Sequence, residues 1–158
     1  MIYFLFLLIP SWYLFHIFEY GLHKLSHSKK YGGYIYNIHM NHHKKYYPFS
    51  RFTDYEPYKT GKTLIFTDGL KAFSLPSTVI IYTMYCILDY STFSYMLIQV
   101  LFFFYISDLL HTHIHIKNSP LEKYEWFIEL RKKHLIHHKY YLKNLNIIDP
   151  LFDNLHLR

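Results

Sequence analysis

All 17 Lys and Arg residues of this 158-residue chain fall in two segments, Lys24–Lys71 and Lys117–Arg158. The stretches outside them, Met1–His23 and Ala72–Ile116, carry only three acids: Glu19, Asp89 and Asp108. Runs that long with so little charge cannot be covered by a solvated surface, and this limits the folds open to the chain. Charged residues are 18% of the total, against about 25% in an ordinary soluble domain. A nucleic-acid binder could share the net charge of +6, but its lysines would not be parted by long uncharged runs. Basic segments alternating with apolar ones fit a membrane protein whose positive loops face the cytosol. The lone cysteine, Cys86, excludes an internal disulfide framework and sits in an apolar run.

Crossing a bilayer takes about 20 mostly apolar residues. Residues 2–22 qualify, with a kink expected at Pro10-Ser11 and Trp12 suited to an interface. No basic leader or small-residue cleavage site accompanies this run, so it reads as a retained span rather than a signal peptide. Residues 72–88 and 92–110 are the other two candidates, parted only by Asp89-Tyr90-Ser91, which predicts a tight hairpin. Residues 72–88 are short for a span, and Pro76 predicts a kink there. The expected architecture is one all-α, integral membrane domain over residues 1–158, with three, at most four, embedded helices. Segments 23–71 and 111–158 then form a helical cap on the cytosolic side.

Eleven of the 13 histidines lie at or next to the cytosolic ends of these spans. They form four groups: His23/His27, His39/His42/His43, His111/His115 and His134/His137/His138. In shorthand the order is HxxxH, HxxHH, HxxxH, HxxHH, the same pair of spacings twice. Residues three and four apart share one face of a helix. Each group therefore presents imidazoles side by side, and a neutral imidazole offers one nitrogen lone pair to a metal. One HxxxH alone is weak, since histidines also cap helices and line polar faces. Four groups in matched order, each abutting an apolar run, point to metal, and ten imidazoles are too many for one ion. Two ions are expected. Structural zinc favours four ligands including cysteines, and soluble di-iron bundles use Glu-x-x-His; neither set occurs here. An all-nitrogen site suits oxygen-reactive iron, while spacing alone also admits zinc.

The stretch HKLSHSKKYGGYIYNIHMNHHKKYYP (23–48), the element SDLLHTHIH (107–115) and the segment NLNIIDPLFDNL (144–155) together resemble the fatty acid hydroxylase superfamily of membrane di-iron enzymes. That superfamily includes sterol C4-methyl oxidases, sphingolipid hydroxylases and fatty acid 2-hydroxylases. The resemblance implies ligation of two irons by His23, His27, His39, His42, His43, His111, His115, His134, His137 and His138. It also implies hydroxylation of a lipid C–H bond (fatty acyl, sphingolipid or sterol) with dioxygen and two electrons, as a step of lipid biosynthesis. The electrons would come from NAD(P)H through cytochrome b5 or a similar external carrier. In a eukaryote the setting would resemble the endoplasmic reticulum. Desaturation, or carotenoid hydroxylation, is the alternative on the same scaffold, and a non-catalytic metal-binding membrane protein is the alternative of another class. Neither oligomeric state nor a nucleic-acid partner is implied. Members are commonly longer, with four spans, and where they carry aromatic-Gly this chain has Leu145-Asn146; their closing Gly-Thr is replaced by His156-Leu157.

Three histidines fall outside the set. His113 points away from the His111/His115 face, His16 lies about 10 Å up the first span as a polar core contact, and His156 is near the C-terminus. Asp108, one turn before His111, and Glu19, four before His23, are expected to accept imidazole N–H bonds and orient those ligands. The run Arg131-Lys132-Lys133 reads as a solvated or headgroup-facing cluster, or a dock for an acidic electron donor.

Overall fold

The computed structural model describes residues 2–48, 70–116 and 118–148. Most of the 44–62 loop, residues 149–155 of the closing segment, and His156 lie outside them. The described residues are helical, with no strand among them. The order is α1 (Ile2–Phe6), α2 (Leu8–Ser26), α3 (Gly33–Asn41) running into a π-helical turn (His42–Tyr46), α4 (Leu70–Ile87), α5 (Tyr90–Ile114), a 3₁₀ turn (Pro120–Lys123) and α6 (Glu125–Lys139).

Together α1 and α2 (Ile2–Ser26) span 25 residues, and α5 spans 25; both are long and apolar enough to cross a membrane. The apolar part of α4, Phe73–Ile87, is shorter. The kink expected at Pro10-Ser11 is instead an interruption at Leu7. Proline lacks the N–H that would bond the carbonyl four residues earlier, and its ring crowds that carbonyl. The break therefore falls at Phe6-Leu7, one turn upstream, where Gln99 Nε2 donates to the Phe4 carbonyl at 2.6 Å. Pro76, by contrast, lies inside a continuous α4.

The tight hairpin is there: only Leu88 and Asp89 join α4 to α5. Asp89 caps α5, its Oδ1 accepting from the backbone of Ser91 and Thr92 at 3.1 Å each. Such a cap satisfies donors that the helix start leaves orphaned. Below the turn, Met84 and Met96 pack with Leu7 into a small apolar cluster.

α2 and α5 run side by side in parallel, and polar contacts set their register. Ser11 Oγ donates to Gln99 Oε1 (2.8 Å) and Ser107 Oγ to Glu19 Oε1 (2.6 Å), each joining residues 88 apart, while the Tyr3 hydroxyl bonds Thr92 near the far end. The chain turns from α2 into α3 at Gly32-Gly33. A Cβ on Gly32 would stand 2.5 Å from the Leu25 carbonyl oxygen, and Gly33 has φ +47°. Only glycine meets both demands without strain. Large apolar side chains such as Phe6, Ile9, Val79, Ile98 and Phe102 are exposed on the outer faces of the long helices.

Candidate metal centre

The α2–α5 register carries straight through to the histidines. His23 and His111, and likewise His27 and His115, stand at the same 88-residue separation as the two hydrogen-bonded pairs. Both HxxxH pairs therefore reach the same height at the ends of parallel helices. α3 and α6 fold back to bring the two HxxHH groups onto them.

All ten predicted ligands fall in two clusters of five. The first holds His23, His27, His39, His43 and His137; the second holds His42, His111, His115, His134 and His138. Within each, the ligand nitrogens lie within 4.8 Å of one another. The division is crossed. Each HxxHH leaves its outer two histidines with the HxxxH of its own half and sends its middle one, His42 or His137, to the other centre.

Ring-to-ring distances speak to coordination. In the first centre the Nε2 atoms of His23 and His39 are 3.1 Å apart, His27 and His39 3.0 Å, His39 and His43 3.0 Å, and His27 and His137 3.2 Å. In the second, His111–His134 is 2.9 Å, and His111–His115, His115–His134 and His134–His138 are each 3.0 Å. With metal–nitrogen bonds of about 2.1 Å, ligands at right angles stand about 3.0 Å apart, and tetrahedral ones about 3.4 Å. Each cluster thus gathers five imidazole nitrogens closely enough to hold a metal ion.

The protonation pattern agrees. His23 Nδ1 meets the Leu145 carbonyl at 2.5 Å, His137 Nδ1 the Lys143 carbonyl at 2.9 Å, and His138 Nδ1 the Tyr47 carbonyl at 3.0 Å. A nitrogen facing a carbonyl must donate, so Nε2 of each neutral ring carries its lone pair inward. Burial, reinforced by neighbouring imidazoles, keeps the rings neutral: His27 and His138 are pushed down to about 3, and His42, His43, His134 and His137 lie well below the usual histidine range. Convergent lone pairs repel one another unless a cation sits between them. The residues present fit a metal ion at each centre.

Two tyrosines stack on the clusters. Tyr47, fully buried, stacks on His115 with ring centroids 3.9 Å apart, and Tyr141 stacks on His27 at 5.4 Å. The π-helical turn, closed by Tyr47 N–H donating to the His42 carbonyl (2.8 Å), delivers Tyr47 there. Nothing in the sequence sets Tyr47 or Tyr141 apart among 18 tyrosines.

On the helix side, a cavity of about 330 Å³ opens onto both centres at once, touching His23 and His39 of the first and His42 and His111 of the second. Among its lining, Glu19, Ser107 and Asp108 are polar, and Ile80, Ile81, Met84, Leu97 and Leu101 are apolar.

The remaining sequence expectations divide. Asp108 is buried one turn before His111 and lines the cavity. Glu19 does not reach His23: it bonds Ser107, Asn146 and the backbone of Ile147, with His16 Nδ1 3.3 Å away. The four-residue spacing aims the two side chains at one face, but α5 and the 145–147 segment offer the carboxylate nearer donors. His16 is the buried polar contact expected of it. His113 lies outside both centres, its Nδ1 3.0 Å from Ser119 Oγ. Arg131 is not a solvated or headgroup-facing cation. It pairs with Glu122 (2.6 Å) and donates to the His113 and Ile116 carbonyls (3.0 and 2.9 Å), tying α6 to the end of α5. Lys132 is exposed and paired with Glu129. Asn146, placed where the resemblance has glycine, proves to be a structural partner of Glu19.

Comparison with protein-family models, with curated proteins and with solved structures finds no match for this chain.

Proposed function

We propose that this protein is a membrane-embedded di-iron oxygenase that hydroxylates a C–H bond of a lipid. The observation that carries the reading is the pair of five-imidazole clusters with nitrogens about 3 Å apart, sharing one apolar cavity. Five imidazoles per centre would leave a six-coordinate ion one position for a reactant, which a purely structural ion does not need. Two iron ions held there would supply dioxygen activation, with O2, two electrons and two protons converting R–H to R–OH and water.

The chain's own residues do the rest. Ile80, Ile81, Leu97 and Leu101 offer an acyl or sterol body an apolar wall and exclude water from the reacting carbon. The carbonyls of Leu145, Lys143 and Tyr47 hold three rings in the ligating tautomer. The exposed apolar faces of α2, α4 and α5 support a bilayer setting, since patches of that kind in water invite association. The basic segments support a cytosolic orientation of the histidines, which an external carrier such as cytochrome b5, fed by NAD(P)H, could reach. Ligands gathered at helix ends rather than mid-helix speak against a metal transporter.

The test uses full-length protein purified in detergent. About two iron ions per chain are expected, together with ¹⁸O incorporation from ¹⁸O2 into an added lipid when NADH, a reductase and cytochrome b5 are supplied. One ion or none would sink the two-metal reading. Two ions without dioxygen-dependent turnover across acyl, sphingoid and sterol substrates would leave a metal-binding membrane protein, and a new double bond would make it a desaturase.

A further inference from the structure

The two centres are not supported alike. Two ligands of the first, His23 and His137, place their Nδ1 atoms on the carbonyls of Leu145 and Lys143 (2.5 and 2.9 Å), both in the short segment that follows α6. In the second centre, His138 leans instead on the Tyr47 carbonyl, from the π-helical turn. The 143–147 segment belongs to no helix, so something else must hold it still.

Its anchor is buried in α2. Asn146 Nδ2 donates to Glu19 Oε2 (3.0 Å) and to the His16 carbonyl (3.1 Å), and Ile147 N–H donates to the same carboxylate oxygen (3.3 Å). The other oxygen of Glu19 takes the Ser107 hydroxyl from α5 (2.6 Å). Glu19 is 8% exposed and Asn146 7%. A carboxylate set into an apolar helix is costly unless fully bonded, and here donors from α5 and the tail converge on it. Asn144, with φ +53°, turns the chain toward this anchor, its side chain donating to the Lys133 carbonyl (2.9 Å).

We infer that Asn146, docked on Glu19, latches the 143–147 segment and so positions His23 and His137, both in the first metal centre. The inference rests on the two-metal reading of the site but not on hydroxylation. Glu19 acts through the backbone at 145–147 and belongs to neither histidine cluster, so it is a positioning residue. A carboxamide able to donate is required at 146. A carboxylate there would face Glu19 and push the segment off His23.

The full-length protein in detergent, loaded anaerobically with Fe²⁺, carries the test by elemental analysis. The wild type should hold about two ions and Asn146→Asp about one. Combined with His137→Ala, which removes a ligand of the same centre, Asn146→Asp should cause no further loss. Combined with His42→Ala, which damages the second centre, it should take the remaining ion as well. A merely structural role would release both ions together and lower the unfolding temperature; that result, or retention of both ions, overturns the latch. Should Asn146→Asp fail to fold, Asn146→Ala, which removes the donor without adding charge, is read in the same two backgrounds. A wild type holding fewer than two ions would overturn the two-metal reading instead.

Discussion

At the scale of single residues, the crossed clustering of the histidines makes His42 and His137 the informative positions. Each leaves the half of the chain that carries it and completes the centre of the other half. His42→Ala should release the ion of the second centre, and His137→Ala that of the first, each leaving about one ion per chain by elemental analysis. His113→Ala, outside both centres, should leave the metal count unchanged. pH acts on the same rings. Without metal, imidazoles held down to about 3 (half-buried His27, buried His138) must stay neutral in the fold, whereas an unfolded histidine protonates near 6.5. The unfolded state then binds more protons between those values, so folded stability is complete above about 6.5 and falls as pH drops toward 3. Metal-free protein in detergent should show a falling unfolding temperature below pH 6.5, and loaded protein should release metal over the same range. A flat profile would contradict neutral, convergent rings.

At the scale of elements, two joints decide whether the boxes meet. The Gly32-Gly33 turn folds α3 onto α2. Gly33→Ala, at a left-handed φ, should cost about 1–2 kcal/mol in chemical unfolding, and Gly32→Ala more, because its Cβ runs into the Leu25 carbonyl. Arg131 ties α6 to α5. Arg131→Ala leaves the His113 and Ile116 carbonyls without this donor and should cost about 1–3 kcal/mol; Arg131→Lys should rescue little, since one ammonium cannot reproduce the guanidinium fork. Much at this scale was legible beforehand: the hairpin at Asp89 follows from a capping residue between apolar runs, and the helical histidine faces follow from 3.6-residue periodicity. The break at Leu7 was misplaced by one turn, because proline acts on the carbonyl four residues before it. The role of Arg131 was not legible, because a basic triplet looks solvated until α5 is known to end beside it.

Across the whole molecule, the proposal requires both basic segments on one side of a bilayer. Reporter tags after Arg158 and within the 44–62 loop should both report the cytosol; opposite sides would leave the α2 and α5 boxes unable to share a site. The cavity makes a second demand. Ile80→Trp, in its apolar lining, should leave two ions bound while reducing lipid turnover at least tenfold, read as product formed against metal content. Equal loss of metal and turnover would mean that the cavity wall serves folding rather than substrate.

Four matched histidine spacings, each at the end of an uncharged run, already picked out the ten histidines that the fold gathers into two clusters, because helical periodicity turns spacing into a shared face without knowledge of the fold. Periodicity says nothing about which face meets which. That was decided in three dimensions by the parallel register of α2 and α5, set by Ser11 with Gln99 and Glu19 with Ser107. The register levels the two HxxxH pairs, and His42 and His137 then cross between the halves. Glu19 shows the same division. Its sequence neighbour on the helix face is His23, yet its bonds go to residues 88 and more than a hundred positions away, because a buried carboxylate takes the donors that packing brings nearest.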